Sequence, residues 1–196
     1  MLSAPSLSAC GATWRTVIPL PGSAPLTLPV DDPMRSNAAT SNAPIDIDGT
    51  TIAFLQYTSG STSTAKGVMV SHANLVANER AISAAMAFTP ADTMVSWLPL
   101  FHDMGLIGGL IAPLFGGFPL VLMTPQHFLE APIRWLKAIA AYRGTVSGGP
   151  NFAFQLCADR VRAAQLEGIA LDSWRVAFCG AEPIRAETLK IGRAHV

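Results

Sequence analysis

Met104-Gly105-Leu106-Ile107-Gly108-Gly109-Leu110-Ile111-Ala112-Pro113-Leu114-Phe115-Gly116-Gly117-Phe118-Pro119-Leu120-Val121-Leu122-Met123 is a run in which every residue is apolar, Gly or Pro. Its nearest charged neighbours are Asp103 and Glu130. It is long enough to cross a bilayer, so the fold turns on how it is read. Its content opposes a span. Gly105, Gly108, Gly109, Gly116, Gly117, Pro113 and Pro119 would interrupt one continuous helix repeatedly. No Lys or Arg lies between Arg80 and Arg134, so the basic flank of a membrane segment is missing. A short buried helix near 104–114, a Gly-Gly turn and a buried strand over Phe118–Met123 fit better.

Working outward, strand and helix signals alternate. Thr51–Tyr57, Gly67–Val70, Met94–Leu98, Thr145–Ser147 and Arg175–Cys179 have the β-branched and aromatic content of strands. Ser71 can cap a helix reaching about Ala87, and helical spacing covers Leu129–Tyr142 and Asn151–Leu166 and begins again at Ile184–Leu189. Strands alternating with helices predict an α/β fold with a mostly parallel sheet and flanking helices.

The chain has 196 residues, of which 50% are hydrophobic and 13% charged, with 13 basic side chains against 13 acidic. Half-apolar composition excludes wholesale disorder. Balanced charge argues against a nucleic-acid surface or a polybasic membrane patch. Cys10, Cys157 and Cys179 are far apart and no His or Cys cluster has metal-ligand spacing, so no metal site is read here and the thiols are expected to be reduced. No secretory signal is visible, and a cytoplasmic location is the expectation. Residues 1–49 carry seven of the fifteen prolines among Ser, Ala and Gly, and read as a poorly ordered lead-in. Residues 190–196 break the preceding helical pattern. Ile191–Val196 spells one translated frame of a common sequencing adapter, so this tail is expected to be non-native and His195 enters no functional argument.

Four loops at strand ends hold the unusual residues, and open α/β sheets bind ligands at such ends. The first is Tyr57-Thr58-Ser59-Gly60-Ser61-Thr62-Ser63-Thr64-Ala65-Lys66-Gly67. Six Ser and Thr hydroxyls, a turning Gly and one Lys suit a phosphate, although the same composition also suits a flexible hairpin loop. It is not a Walker A loop, because no Gly precedes Lys66 and Gly67 stands where Ser or Thr would hold Mg²⁺. The second is Trp97-Leu98-Pro99-Leu100-Phe101-His102-Asp103-Met104-Gly105, an aromatic and an imidazole at the mouth of the apolar helix. The third, Ser147-Gly148-Gly149-Pro150-Asn151-Phe152, permits close backbone approach. The fourth, Gly180-Ala181-Glu182-Pro183, offers a flat backbone edge and one carboxylate.

Taken together, these residues resemble the adenylate-forming superfamily of acyl-CoA synthetases, peptide-synthetase adenylation domains and luciferases. The first loop is similar to its signature Tyr-Thr-Ser-Gly-Ser-Thr-Gly-x-Pro-Lys-Gly. Phe54–Tyr57, Trp97–Leu106, Ser147–Phe154 and Trp174–Pro183 resemble fatty-acyl-AMP ligases most closely. The resemblance covers residues 50–189, which it implies are a partial AMP-binding domain, part of the large N-terminal domain of such an enzyme. Ser63 and Ala65 depart from the signature Gly and Pro, and Ser63 carries a steric cost if its backbone must take φ > 0.

The resemblance implies attack of a fatty-acid carboxylate on the α-phosphate of ATP, giving acyl-AMP and pyrophosphate. Thr58, Ser59, Gly60, Ser61, Thr62 and Lys66 would then hold the β- and γ-phosphates, with Lys66 and His102 in the catalytic roles. Gly180, Ala181 and Glu182 would pack against adenine. Phe101, His102, Gly149, Asn151 and Phe152 would border the acyl site. The Mg²⁺ ligands, the ribose-binding Asp and the small C-terminal domain with its catalytic Lys are expected beyond this chain, so the piece alone is expected to be inactive. An acyl carrier protein is the implied acceptor, with CoA, and so a long-chain acyl-CoA synthetase, as the enzyme alternative. A catalytically inactive acyl- or nucleotide-binding module is the other.

Overall fold

A computed structural model describes residues 46–58 and 66–188. They fall in two compact units, 46–88 and 89–188. Residues 1–45 of the expected lead-in over 1–49, the tail over 190–196 and Ser59–Ala65 of the first loop lie outside the described residues.

The first unit is a hairpin followed by a helix. β1 (Ile52–Thr58) pairs antiparallel with β2 (Lys66–Ser71), from Ile52 against Ser71 to Thr58 against Lys66. The first loop therefore joins the two strands of an antiparallel ribbon, the hairpin setting that its composition also suited. The spacing explains it: a parallel partner needs a crossover of a dozen or more residues, and far fewer separate these strands. Leu55, Tyr57 and Met69 are exposed apolar side chains of the ribbon. α1 (His72–Met86) starts at a reciprocal cap. The Asn74 N–H donates to Ser71 Oγ at 3.2 Å, and the Ser71 N–H donates to Asn74 Oδ1 at 3.1 Å. Glu79 on this helix is buried and, among the described residues, its carboxylate has no hydrogen-bond partner. Burial pushes its carboxyl up to about 7.

The second unit is the α/β body. β3 (Met94–Ser96) is followed by a π-helix (Met104–Ile111), α2 (Ala112–Gly116) and β4 (Leu120–Leu122). Then come α3 (Pro125–Glu130), α4 (Ile133–Ala141), β5 (Val146–Gly149), α5 (Asn151–Arg160), α6 (Ala163–Leu166) and β6 (Val176–Cys179). The four strands form one parallel sheet in the order β4-β3-β5-β6. The expected α/β class with a parallel sheet is therefore present. No helix among the described residues is long and apolar enough to cross a membrane.

The apolar run forms two helical segments, a turn and a strand, with Gly117 at φ 71° ending α2. The unexpected part is the π-helix. Its glycines let it sit close: a Cβ on Gly105 would overlap the Pro99 carbonyl, and one on Gly109 would lie 2.7 Å from Ser96 Oγ. Two long helices of the sequence reading are each broken in two. Leu129–Tyr142 breaks at Ala131, extended at φ −148° because Pro132 follows it. Asn151–Leu166 breaks at Val161, also extended.

Alternation along the strands places Val95, Trp97 and Ser147 on one face and Ser96 on the other. Trp97 stacks on Phe128 with ring centroids 4.1 Å apart, and Trp135 lies edge-on to Phe128, Phe154 and Trp174. The buried Ser147 joins this aromatic core to the sheet. It accepts from Trp135 Nε1 at 2.8 Å and donates to the Val95 carbonyl at 2.5 Å. At the amino end of the sheet the buried Asp92 gathers Thr89, Thr145 and Arg175.

Candidate active site

In the strand order, β4 lies on one side of β3 and the next strand, β5, on the other. The chain reverses direction across the sheet between β3 and β5, and at such a switch point the loops leaving the carboxyl ends diverge and open a crevice. Trp97 follows β3 directly, and Gly149 ends β5. They meet there: a Cβ on Gly149 would stand 2.7 Å from the Trp97 ring. Phe152 adds an edge-on ring 6.1 Å from Trp97. Trp97 is buried, and its indole N–H has no acceptor among the described residues.

Phe101 is 95% exposed, an unusual place for an aromatic side chain. Beside it His102 Nδ1 lies 2.7 Å from the Asp103 carboxylate and accepts from the Met104 N–H at 3.2 Å. The Met104 N–H donates to Asp103 Oδ1 at 2.7 Å, so the same carboxylate tethers the start of the π-helix. Met104 reaches the fourth loop, with its sulfur 3.8 Å from where a Gly180 Cβ would be.

The third and fourth loops are tied directly. The Phe152 N–H donates to Glu182 Oε1 at 2.6 Å, and the Arg185 N–H donates to Asn151 Oδ1 at 3.0 Å. Ala181 between them takes the left-handed backbone, φ 66°. The thiols nearby are held in the protonated form: burial pushes Cys157 up to about 12, and burial together with the Glu182 charge raises Cys179. Among the described residues no three His, Cys, Asp or Glu side chains cluster as metal ligands.

The structure thus brings Phe101 and His102, Gly149, Asn151 and Phe152, and Gly180, Ala181 and Glu182 to the carboxyl edge of one parallel sheet. Thr58 and Lys66 belong to the hairpin unit, where they form the last pair of its ladder. Ser59, Gly60, Ser61 and Thr62 lie outside the described residues. The sequence reading did not single out Trp97 or Met104 as site residues. Trp97 carried a signal, an aromatic immediately after a strand, whereas the Met104 contact depends on a long-range fold.

The carboxyl edge at a switch point is where open α/β sheets bind their ligands. Residues 14–195 match the AMP-binding enzyme family, and the chain belongs to it. It is 48% identical over 138 residues to a medium-chain-fatty-acid–acyl-carrier-protein ligase of Teredinibacter turnerae, covering 70% of this chain and 22% of that protein. It is 42% identical over 169 residues to a long-chain-fatty-acid–AMP ligase of Mycobacterium tuberculosis, covering 83% and 28%. A crystal structure of the fatty acyl-adenylate ligase from L. pneumophila, in complex with acyl adenylate and pyrophosphate, superposes with a TM-score of 0.74 at 48% identity, covering 78% of this chain and 27% of that one. The chain spans about a quarter of the length of these relatives.

Proposed function

We propose that this chain is part of an enzyme that activates a fatty acid with ATP, forming acyl-AMP and releasing pyrophosphate. The observation that carries the reading is the carboxyl edge at the switch point, where the Trp97 and Phe152 rings meet edge-on, the Phe152 N–H is tied to the Glu182 carboxylate and Met104 reaches Gly180. Rings and glycines can line an acyl chain, while a backbone edge can lie against a flat base. The similarity to a ligase solved with acyl adenylate and pyrophosphate supports it.

In this reading a carboxylate oxygen of the fatty acid attacks the α-phosphorus, and the bond to the bridging oxygen of the leaving pyrophosphate breaks. Negative charge grows on that leaving group, so preformed donors and a cation there lower the barrier. Thr58, Ser59, Gly60, Ser61 and Thr62 supply the donors and Lys66 the cation. His102, held by Asp103, faces the carboxylate end of the acyl group with Phe101, Gly149, Asn151 and Phe152. Gly180, Ala181 and Glu182 form the adenine side. Mg²⁺ would accompany the ATP and offset the charge on its phosphates. The acyl group passes to an acyl carrier protein, as the names of the bacterial carrier-protein ligases suggest. CoA is the alternative acceptor, and the site of action is the cytoplasm.

The test uses the full-length ligase that carries this segment. Fatty-acid-dependent ATP–pyrophosphate exchange is expected, and its absence in a folded protein would favour an inactive binding module. Lys66→Ala is expected to slow that exchange roughly 100-fold, the loss typical of one charge-stabilising group. An unchanged rate would remove Lys66 from the role given to it. Supplying acyl carrier protein and CoA in turn, and measuring thioester, separates the two acceptors.

A further inference from the structure

We infer that Glu182 is a positioning residue: from the loop after the neighbouring strand β6 its carboxylate caps α5 and thereby holds the 180–182 backbone in the shape that receives the nucleotide. The inference rests on the adenylation reading and gives Glu182 a different job within it from direct contact with the base.

α5 begins without a cap of its own. Its N-cap residue is Pro150, which has no side-chain acceptor for the first free N–H groups. Phe152 is the second residue of the helix, where a cap normally receives its bond. Its N–H donates instead to Glu182, thirty residues later, and the 2.6 Å distance is short even for a charge-assisted bond. The positive end of the helix dipole also favours a carboxylate there.

The tie is reciprocal. The Arg185 N–H donates to the side chain of Asn151, which is 5% exposed, and the Thr188 hydroxyl donates to Gln155 one turn further along α5. Residues 182–188 are therefore strapped along the helix. Glu182 is the strap's first anchor and stands next to Ala181, which is held in a left-handed conformation that L-residues adopt at a cost. Without that anchor Ala181 is free to relax, and the backbone edge beside Met104 moves with it. The charge argues the same way. A carboxylate pointed at an anionic nucleotide would repel it, whereas one spent on a helix terminus does not.

The full-length ligase carrying Glu182→Ala and Glu182→Gln tests this. Glu182→Ala is expected to raise KM for ATP about tenfold with a much smaller change in KM for the fatty acid, while Glu182→Gln, which keeps the acceptor, stays within about threefold of the parent. Amide exchange at Phe152 should quicken about tenfold in Glu182→Ala and little in Glu182→Gln. Equal damage from both substitutions would show that the charge itself is used, and would overturn the inference. So would unchanged exchange at Phe152 in Glu182→Ala. If the parent shows no adenylation, the function fails on its own, and the Phe152 amide still decides whether Glu182 is the cap.

Discussion

Gly148→Ala is expected to destabilise the α/β body by about 3 kcal/mol or more, a large fraction of the stability of an ordinary domain. Gly148 pairs with Phe178 in the parallel ladder between β5 and β6. A Cβ there would overlap the Phe178 carbonyl oxygen and press within 2.5 Å of its ring. Backbone cannot give as a flexible side chain can, so β6 must move off β5, carrying the 180–182 segment with it. Gly108→Ala is the matched control. Its added methyl meets nothing within 4 Å, and removing a helical glycine should be neutral or stabilising by up to about 1 kcal/mol. Chemical denaturation of the two variants checks the contrast. Equal midpoints would mean that β5 and β6 are not packed as closely as described.

Asp92→Ala is expected to cost about 3 kcal/mol, through lost charge-assisted hydrogen bonds at the opposite end of the sheet. The Asp92 carboxylate accepts from the Thr89 N–H at 2.7 Å, from Thr145 Oγ1 at 2.6 Å and from Arg175 Nη2 at 2.9 Å to both oxygens. Those partners sit beside the starts of β3, β5 and β6, so one side chain fixes three strands. Arg175 is 44% exposed, which keeps the figure below that of a fully buried pair. Burial alone would raise the Asp92 carboxyl, but the bonds from Thr145, Arg175 and Thr89 outweigh it and hold it below the usual range. A lowered folded-state value makes this stabilisation present above the unfolded value near 3.9 and lost as the pH falls through the folded one. The variant should therefore differ most from the parent at neutral pH and converge on it in acid. A constant difference across that range would contradict the assignment.

The strands and the class of fold were legible because β-branched runs punctuated by Gly and Pro leave few alternatives. Val146–Gly149 and Val176–Cys179 are short but fall between clear helical patterns. Helix breaks were legible only in hindsight. Ala131 is extended because of the following Pro, a local rule, while Val161 departs from α5 with no comparable signal. The π-helix depends on glycines packing against Pro99 and Ser96, contacts that no periodicity encodes. The first loop was legible in composition, and its setting was left open between a phosphate loop and a hairpin loop, although two strands so close in sequence cannot run parallel. The Glu182–Phe152 bond was invisible for a plainer reason: thirty residues and a strand separate its partners.

The parallel order β4-β3-β5-β6 also bears on how the protein comes into being. The ribbon of β1 and β2 joins residues near one another in the chain, so it can close within about 1–10 μs. The crevice instead joins Trp97, Gly149 and Glu182, and every strand pairing beneath it must first close a long crossover. On a ribosome, the ribbon is complete before most of the crevice exists. Pulse-labelled amide exchange should find β1 and β2 protected well ahead of β5 and β6, and simultaneous protection would refute that order. The part of the molecule proposed to grip phosphate is then the early-folding one, and the walls of the acyl site arrive last.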